Sequence, residues 1–182
     1  RAPDSSMTLT VYLSSTLVDL EDERRAVHEA LRDKCVVKDS YRARETELVE
    51  TCLTDVDGCD LYIGILGLRY GYIPENEFAN PQQLSITELE YGRAKKRLVF
   101  LKAEDAIPFS KSDGRDAKRL ERVMALRERA SRDQVPDRFE TCEQLKLRVV
   151  EAFNKFLETR AAGGSAHTNT PAPLDPTTLA AL

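Results

Sequence analysis

The 182-residue chain has no tryptophan, two histidines and two methionines, and aromatic residues make up only 7% of it. These shortages remove several function classes. Four cysteines (Cys35, Cys52, Cys59, Cys142) form no C-x-x-C pair, and with so few histidines no zinc set can be assembled from spacing. No apolar run approaches the roughly 18 residues of a membrane span. Basic charge is not in excess: the net charge is −4 and the pI about 5.4, whereas phosphate neutralisation needs a basic surface, so general nucleic-acid binding is not expected. The expectation is a reduced, cytoplasmic protein that requires no metal or cofactor and does not enter membranes.

What remains is a charged chain with short apolar segments. Charged residues are 32% of the total and interleave by sign, as on solvated helices. Residues 8–14 alternate and are β-branched at Thr8, Thr10 and Val11, which predicts a first strand. Thr16 and Asp19 match a capping box ahead of a helix from about Asp19 to Asp33. Cys35–Lys38 reads as a second strand and Glu45–Asp57 as a second helix, stopped by Gly58. Leu61–Leu66 is almost wholly apolar, as in a strand covered on both faces. A long connection, Gly67–Leu84, contains Leu68-Arg69-Tyr70-Gly71-Tyr72, and long loops inside compact domains are usually functional.

Residues 85–96 predict a third helix and Leu98–Leu101 a fourth strand. A charged helix at about Asp116–Ser131 uses Leu120, Val123, Met124 and Leu126 as its apolar side. A short edge strand falls within Gln134–Glu140, and a last helix, capped by Thr141 and Gln144, runs to about Thr159 with Cys142, Leu145, Val149, Phe153 and Phe156 as its stripe. Residues 1–7 read as a frayed terminus, 8–159 as one domain, and 160–182 as a disordered linker to a downstream domain. Alternating strands and helices imply right-handed βαβ units, an α/β three-layer sandwich and a parallel sheet, with 2-1-3-4-5 the economical order for five strands.

In such sheets ligands bind at the carboxyl ends of the strands, where the order reverses between strands 1 and 3. The residues leaving those strands are Ser14, Ser15 and Thr16, and Gly67, Arg69, Tyr70 and Gly71. The third helix starts at the same end with Ser85. On it, Ile86, Glu90 and Ala94 share one face with Leu89 beside them, so Glu90 is a carboxylate on an apolar stripe, while Glu88 should be solvated. The candidates have structural alternatives: the serines and threonine as a helix cap, Arg69 as an ion-pair partner of Asp60 or Glu90, the glycines as positive-φ positions, and Glu90 itself as a salt-bridged or capped structural carboxylate at the sheet's carboxyl end.

Leu13-Ser14-Ser15-Thr16-Leu17-Val18-Asp19-Leu20-Glu21-Asp22-Glu23-Arg24, Gly67-Leu68-Arg69-Tyr70-Gly71 and Ser85-Ile86-Thr87-Glu88-Leu89-Glu90-Tyr91 together resemble a TIR-like domain of unknown function. That family precedes NACHT, other STAND NTPase or repeat regions. The resemblance implies a flavodoxin-like, TIR-related fold at the N-terminus of a sensor or defence protein, active as a homo-oligomer and linked to a downstream NTPase or repeat domain. More distantly, Glu90…Ala94…Leu98-Val99-Phe100 is similar to the helix and strand that carry the glutamate of TIR-type NAD hydrolases and nucleoside deoxyribosyltransferases. This implies Glu90 as the catalytic position of an NAD or nucleoside N-glycosidase. Ser14, Ser15 and Thr16 would then meet a phosphate, Arg69 would add charge, and Tyr70 would offer a stacking face. Two expectations follow: an effector or signalling module with a nucleotide-type cleft, or an NAD-cleaving enzyme centred on Glu90.

Overall fold

The computed structural model describes residues 8–39, 48–75 and 80–164. The expected frayed terminus (1–7), the polar loop and helix start (40–47) and most of the expected linker (165–182) lie outside the described residues. Two compact units divide the chain, Arg1–Val150 and Glu151–Leu182.

The first unit carries five strands: β1 (Thr10–Ser15), β2 (Val36–Asp39), β3 (Leu61–Leu66), β4 (Arg97–Lys102) and β5 (Asp137–Phe139). They form one all-parallel sheet in the order 2-1-3-4-5, as the strand–helix alternation predicted. The helices are α1 (Glu21–Leu31), α2 (Leu48–Asp57), α3 (Ile86–Arg93), α4 (Ala117–Asp133) and α5 (Cys142–Gly164), with two single-turn 3-10 helices in the β4–α4 connection. All six residues of β3 are buried, which explains its uninterrupted apolar run. β5 is an edge strand, and Pro136 falls just outside it.

Register sorts the two faces. Tyr12 pairs with Tyr62, Ser14 with Gly64, Gly64 with Val99 and Leu66 with Leu101. Side chains alternate along a strand, so this face collects Tyr12, Ser14, Tyr62, Leu66, Val99 and Leu101. It packs against Val56 of α2, Tyr91 and Ala94 at α3, and Leu126 and Ala130 of α4. The opposite face carries Ser15 and Lys102, which bond to Arg24 and Glu23 of α1, and the start of α5 lies beside α1 through a Lys146–Glu29 ion pair.

Several local expectations need correction. Helix α1 has Leu20 at its N-cap with no side-chain cap, so Thr16 and Asp19 form no capping box. The Thr141–Gln144 cap is present in shifted form: Thr141 Oγ1 accepts from Gln144 N, and Gln144 Oε1 accepts from Glu140 N. Helix α3 ends at Arg93 because Ala94 turns to an extended conformation (φ −65°, ψ 134°) on the way into β4. Its buried residues are Thr87, Glu90 and Tyr91, whereas Ile86 and Leu89 stay half-exposed. Met124 is exposed rather than part of the apolar side of α4. Helix α5 continues to Gly164, past the predicted end at Thr159. In the second unit, Phe153 is buried and its ring lies 6.3 Å from that of Phe156.

Candidate functional site

Ser85 opens α3 by accepting a hydrogen bond from Glu88 N at 3.2 Å. This cap sets the helix phase that turns Glu90 inward, where it is wholly buried. The carboxylate is met by hydroxyls from β1. Tyr12 Oη donates to Oε1 at 2.7 Å, and Ser14 Oγ donates to Oε2. Tyr12 and Ser14 are two residues apart on one strand, so the period of two delivers both donors to the same face. Tyr62 completes the enclosure. Its ring stacks on Tyr12 at 6.4 Å and lies along β3 over Gly64, where a Cβ would stand 2.9 Å from Tyr62 Cε1. The Tyr62 hydroxyl sits beside Ser14 without hydrogen-bond geometry, and its proton is held far above the ordinary range, first by burial and then by the charge of Glu90.

The residues leaving β1 divide between the two faces. Ser14 joins Glu90, whereas Ser15 accepts from Arg24 Nη1 at 2.8 Å on the other face and donates to Thr16 O. Thr16 is buried with no hydrogen bond from its hydroxyl. Arg69 pairs with neither Asp60 nor Glu90. It donates from Nη2 to Ser110 O at 2.9 Å, while its buried Nε has no partner. Gly71 has φ +92°, a conformation that favours glycine. Gly67 serves a close approach instead: a Cβ there would stand 3.0 Å from Asp19 Oδ2.

Tyr70 offers no free stacking face. It is buried, and Arg122 covers its ring at 4.6 Å. Its hydroxyl accepts from Ser85 N and donates to Glu88 Oε2 at 2.5 Å. Burial, and then the bond to Glu88, push its proton up to about 12. Glu88 is therefore not solvated as expected; Tyr70 and Arg129 (3.2 Å) bind it between them. Arg119 adds a bond to Gly71 O and a contact to Asp113, whose other partner is Tyr70 N. Arginines of α4 thus fasten the β3–α3 connection beside the buried glutamate.

Other residues at this end carry no spacing signal or only a weak one. Arg127, 3% exposed, donates to Leu66 O, Gly67 O and Lys102 O at 2.8, 3.1 and 2.9 Å. It ties off the carbonyl ends of β3 and β4, and burial lowers its pKa. Its place next to Leu126 and four residues after Val123 puts a cation on the buried side of α4, the same kind of misfit that marked Glu90. Asp19 and the Glu23–Lys102 pair are buried too, although first-turn acids ordinarily read as solvated dipole partners. All four cysteines are free. Burial raises the thiols of Cys35 (to about 11), Cys59 and Cys142, so none of these three is poised as a nucleophile. Among the described residues no group of three or more His, Cys, Asp or Glu could hold a metal ion, and no helix is long and apolar enough to cross a membrane.

The fold and this end of the sheet define a doubly wound, flavodoxin-like α/β domain whose polar residues gather at the switch point between β1 and β3. Residues 10–154 match the family described as Domain of unknown function (DUF4062), and the chain belongs to that family.

Proposed function

We propose that the domain is a TIR-like effector or signalling module of a larger, STAND-type sensor or defence protein. It acts in the cytoplasm by self-association or partner binding, with a ligand-binding cleft at the carboxyl ends of β1 and β3. The observation that carries this reading is the enclosure of Glu90. Its carboxylate is wholly buried and receives hydroxyl bonds from Tyr12 and Ser14. A carboxylate that stabilises an oxocarbenium-like ribose must approach the substrate within contact distance. Here that position is occupied by the protein's own donors, an arrangement that favours a structural keystone over a catalytic group.

The experiment joins the full-length protein into enforced oligomers and follows NAD consumption alongside self-association by sedimentation velocity. The module reading expects concentration-dependent association and the same negligible NAD cleavage with Glu90 or Glu90→Gln. NAD cleavage that the wild type performs and Glu90→Gln abolishes would overturn it in favour of an N-glycosidase.

A further inference from the structure

Between α4 and the β5 edge of the sheet lies a groove of about 650 Å³. Its apolar lining is Leu101 of β4 with Met124 and Ala125 of α4, and Met124 is 37% exposed there. Three exposed carboxylates, Glu104, Glu121 and Glu128, also line it, against one exposed cation, Arg138. The other arginine of the groove, Arg127, is buried and spends its guanidinium on the carbonyls of Leu66, Gly67 and Lys102, 3.8 Å from Glu104. Glu128 meets Arg132 at 3.7 Å between two largely exposed side chains, a contact that contributes little. Glu121 has no ion pair among the described residues. Carboxylates above an apolar lining suit one kind of side chain, a long aliphatic stem that ends in a cation.

The chain presents such side chains on another patch. The turn Ala94-Lys95-Lys96 joins α3 to β4. Ala94 N donates to Glu90 O at 3.0 Å and Tyr62 N donates to Lys96 O at 2.9 Å, so the turn is fixed at both ends while Lys95 and Lys96 stay exposed. The cations on either side are already engaged: Arg93 pairs with Asp57, and Arg97 meets Asp133 and lies over the Tyr91 ring. A backbone already held in place loses little freedom on docking.

We infer that the groove between α4 and β5 takes the Lys95–Lys96 turn of a second copy of this chain. The lysine stems cover Met124 and its neighbours, and their ammonium groups meet Glu121 and Glu128. The turn stands at the amino end of β4 and the groove runs along α4 and β5, so the two halves of the contact are different patches of one domain. Such a contact is heterologous: every copy offers one groove and one turn, and copies add head to tail. This inference names the surfaces of self-association in the module reading and rests on that reading.

The test is sedimentation velocity of the full-length protein over a concentration series. One variant carries Glu121→Lys with Glu128→Lys, the other Lys95→Gln with Lys96→Gln; all four positions are exposed. Wild type should form a series of species that grows with concentration, and each variant alone should associate at least about tenfold more weakly. An equal mixture of the two variants should form a dimer and nothing larger, because one partner supplies an intact turn, the other an intact groove, and the second contact is missing. Variants that associate like wild type overturn the inference, as does a mixture no more associated than its components. If only the groove variant loses association, another basic segment fills the groove and the second-copy assignment is overturned. A wild type that stays monomeric also overturns it and leaves partner binding as the module's route, while the NAD assay decides between module and enzyme separately. A salt series on the wild-type chain decides the matter even where a variant fails to fold: association should weaken as NaCl rises from about 50 to about 500 mM, and an unchanged association overturns the inference.

Discussion

Tyr12→Phe tests the Glu90 enclosure at a single oxygen. The substitution removes the hydroxyl that donates to Glu90 Oε1 at 2.7 Å and leaves the ring, its stack on Tyr62 and its place in β1 intact. A hydrogen bond to a charged acceptor is worth about 1.5–3 kcal/mol, and both partners are wholly buried. The expected loss is therefore about 2 kcal/mol. In a domain of this size that lowers Tm by roughly 4–8 °C. The assay is urea denaturation followed by far-UV circular dichroism, with the midpoint compared at constant slope. A cycle with Glu90→Gln then separates the pair. An amide is a weaker acceptor than a carboxylate, so in the Gln background Tyr12→Phe should cost only about 1 kcal/mol, leaving a coupling of about 1 kcal/mol. A Tyr12→Phe effect within about 0.5 kcal/mol, the range of an ordinary surface substitution, would refute the keystone role.

Three further outcomes follow from the same end of the sheet. Lys102→Met strands the buried Glu23 carboxylate and should cost about 3–5 kcal/mol, whereas the double change with Glu23→Gln should recover most of it; denaturation midpoints of the three variants decide this. Burial raises the pKa of Asp19 above 3.8, so the native state holds its proton longer than the unfolded chain. Stability contributed at this site is thus greatest at low pH and falls as pH climbs from about 3.8 through the raised native value. Asp19→Asn should flatten that decline, seen as a gain over wild type that grows with pH in denaturation series from acid to neutral. Gly71→Ala forces a side chain into φ +92° with its Cβ 3.0 Å from Thr16 Cγ2, and should cost about 1–2 kcal/mol by thermal unfolding.

Periodicity made the scaffold readable. The apolar run at Leu61–Leu66, the alternation into Ser14 and the strand–helix rhythm imply the parallel 2-1-3-4-5 sheet that is present. The burial of Glu90 was expected and is present, but the face that carries it is Thr87, Glu90 and Tyr91, not the expected stripe, whose Ile86 and Leu89 stay half-exposed. Its partners were only half legible. Ser14 and Ser15 look alike as neighbours, yet the strand period sends them to opposite faces, one to Glu90 and the other to Arg24. Tyr12 reads as an ordinary core residue until its hydroxyl is placed. Glu88 and Met124 escaped because their surroundings are tertiary: the β3–α3 connection folds Tyr70 over Glu88, and Met124 stays 37% exposed. Asp19 was read as half of a capping box. Helix α1 starts after it, and the carboxyl turns beneath Gly67 instead, a choice made by packing between two loops far apart in sequence.

The central claim is that Glu90 is closed to anything outside the protein. Carbodiimide labelling of accessible carboxyl groups, read residue by residue by mass spectrometry, reports this on the full-length protein before and after enforced oligomerisation. Exposed Glu21 and Glu50 serve as internal references. The enclosure predicts no labelling of Glu90 in either state while the references react fully. Labelling of Glu90 on oligomerisation would contradict it, and would show a carboxylate released to meet a substrate.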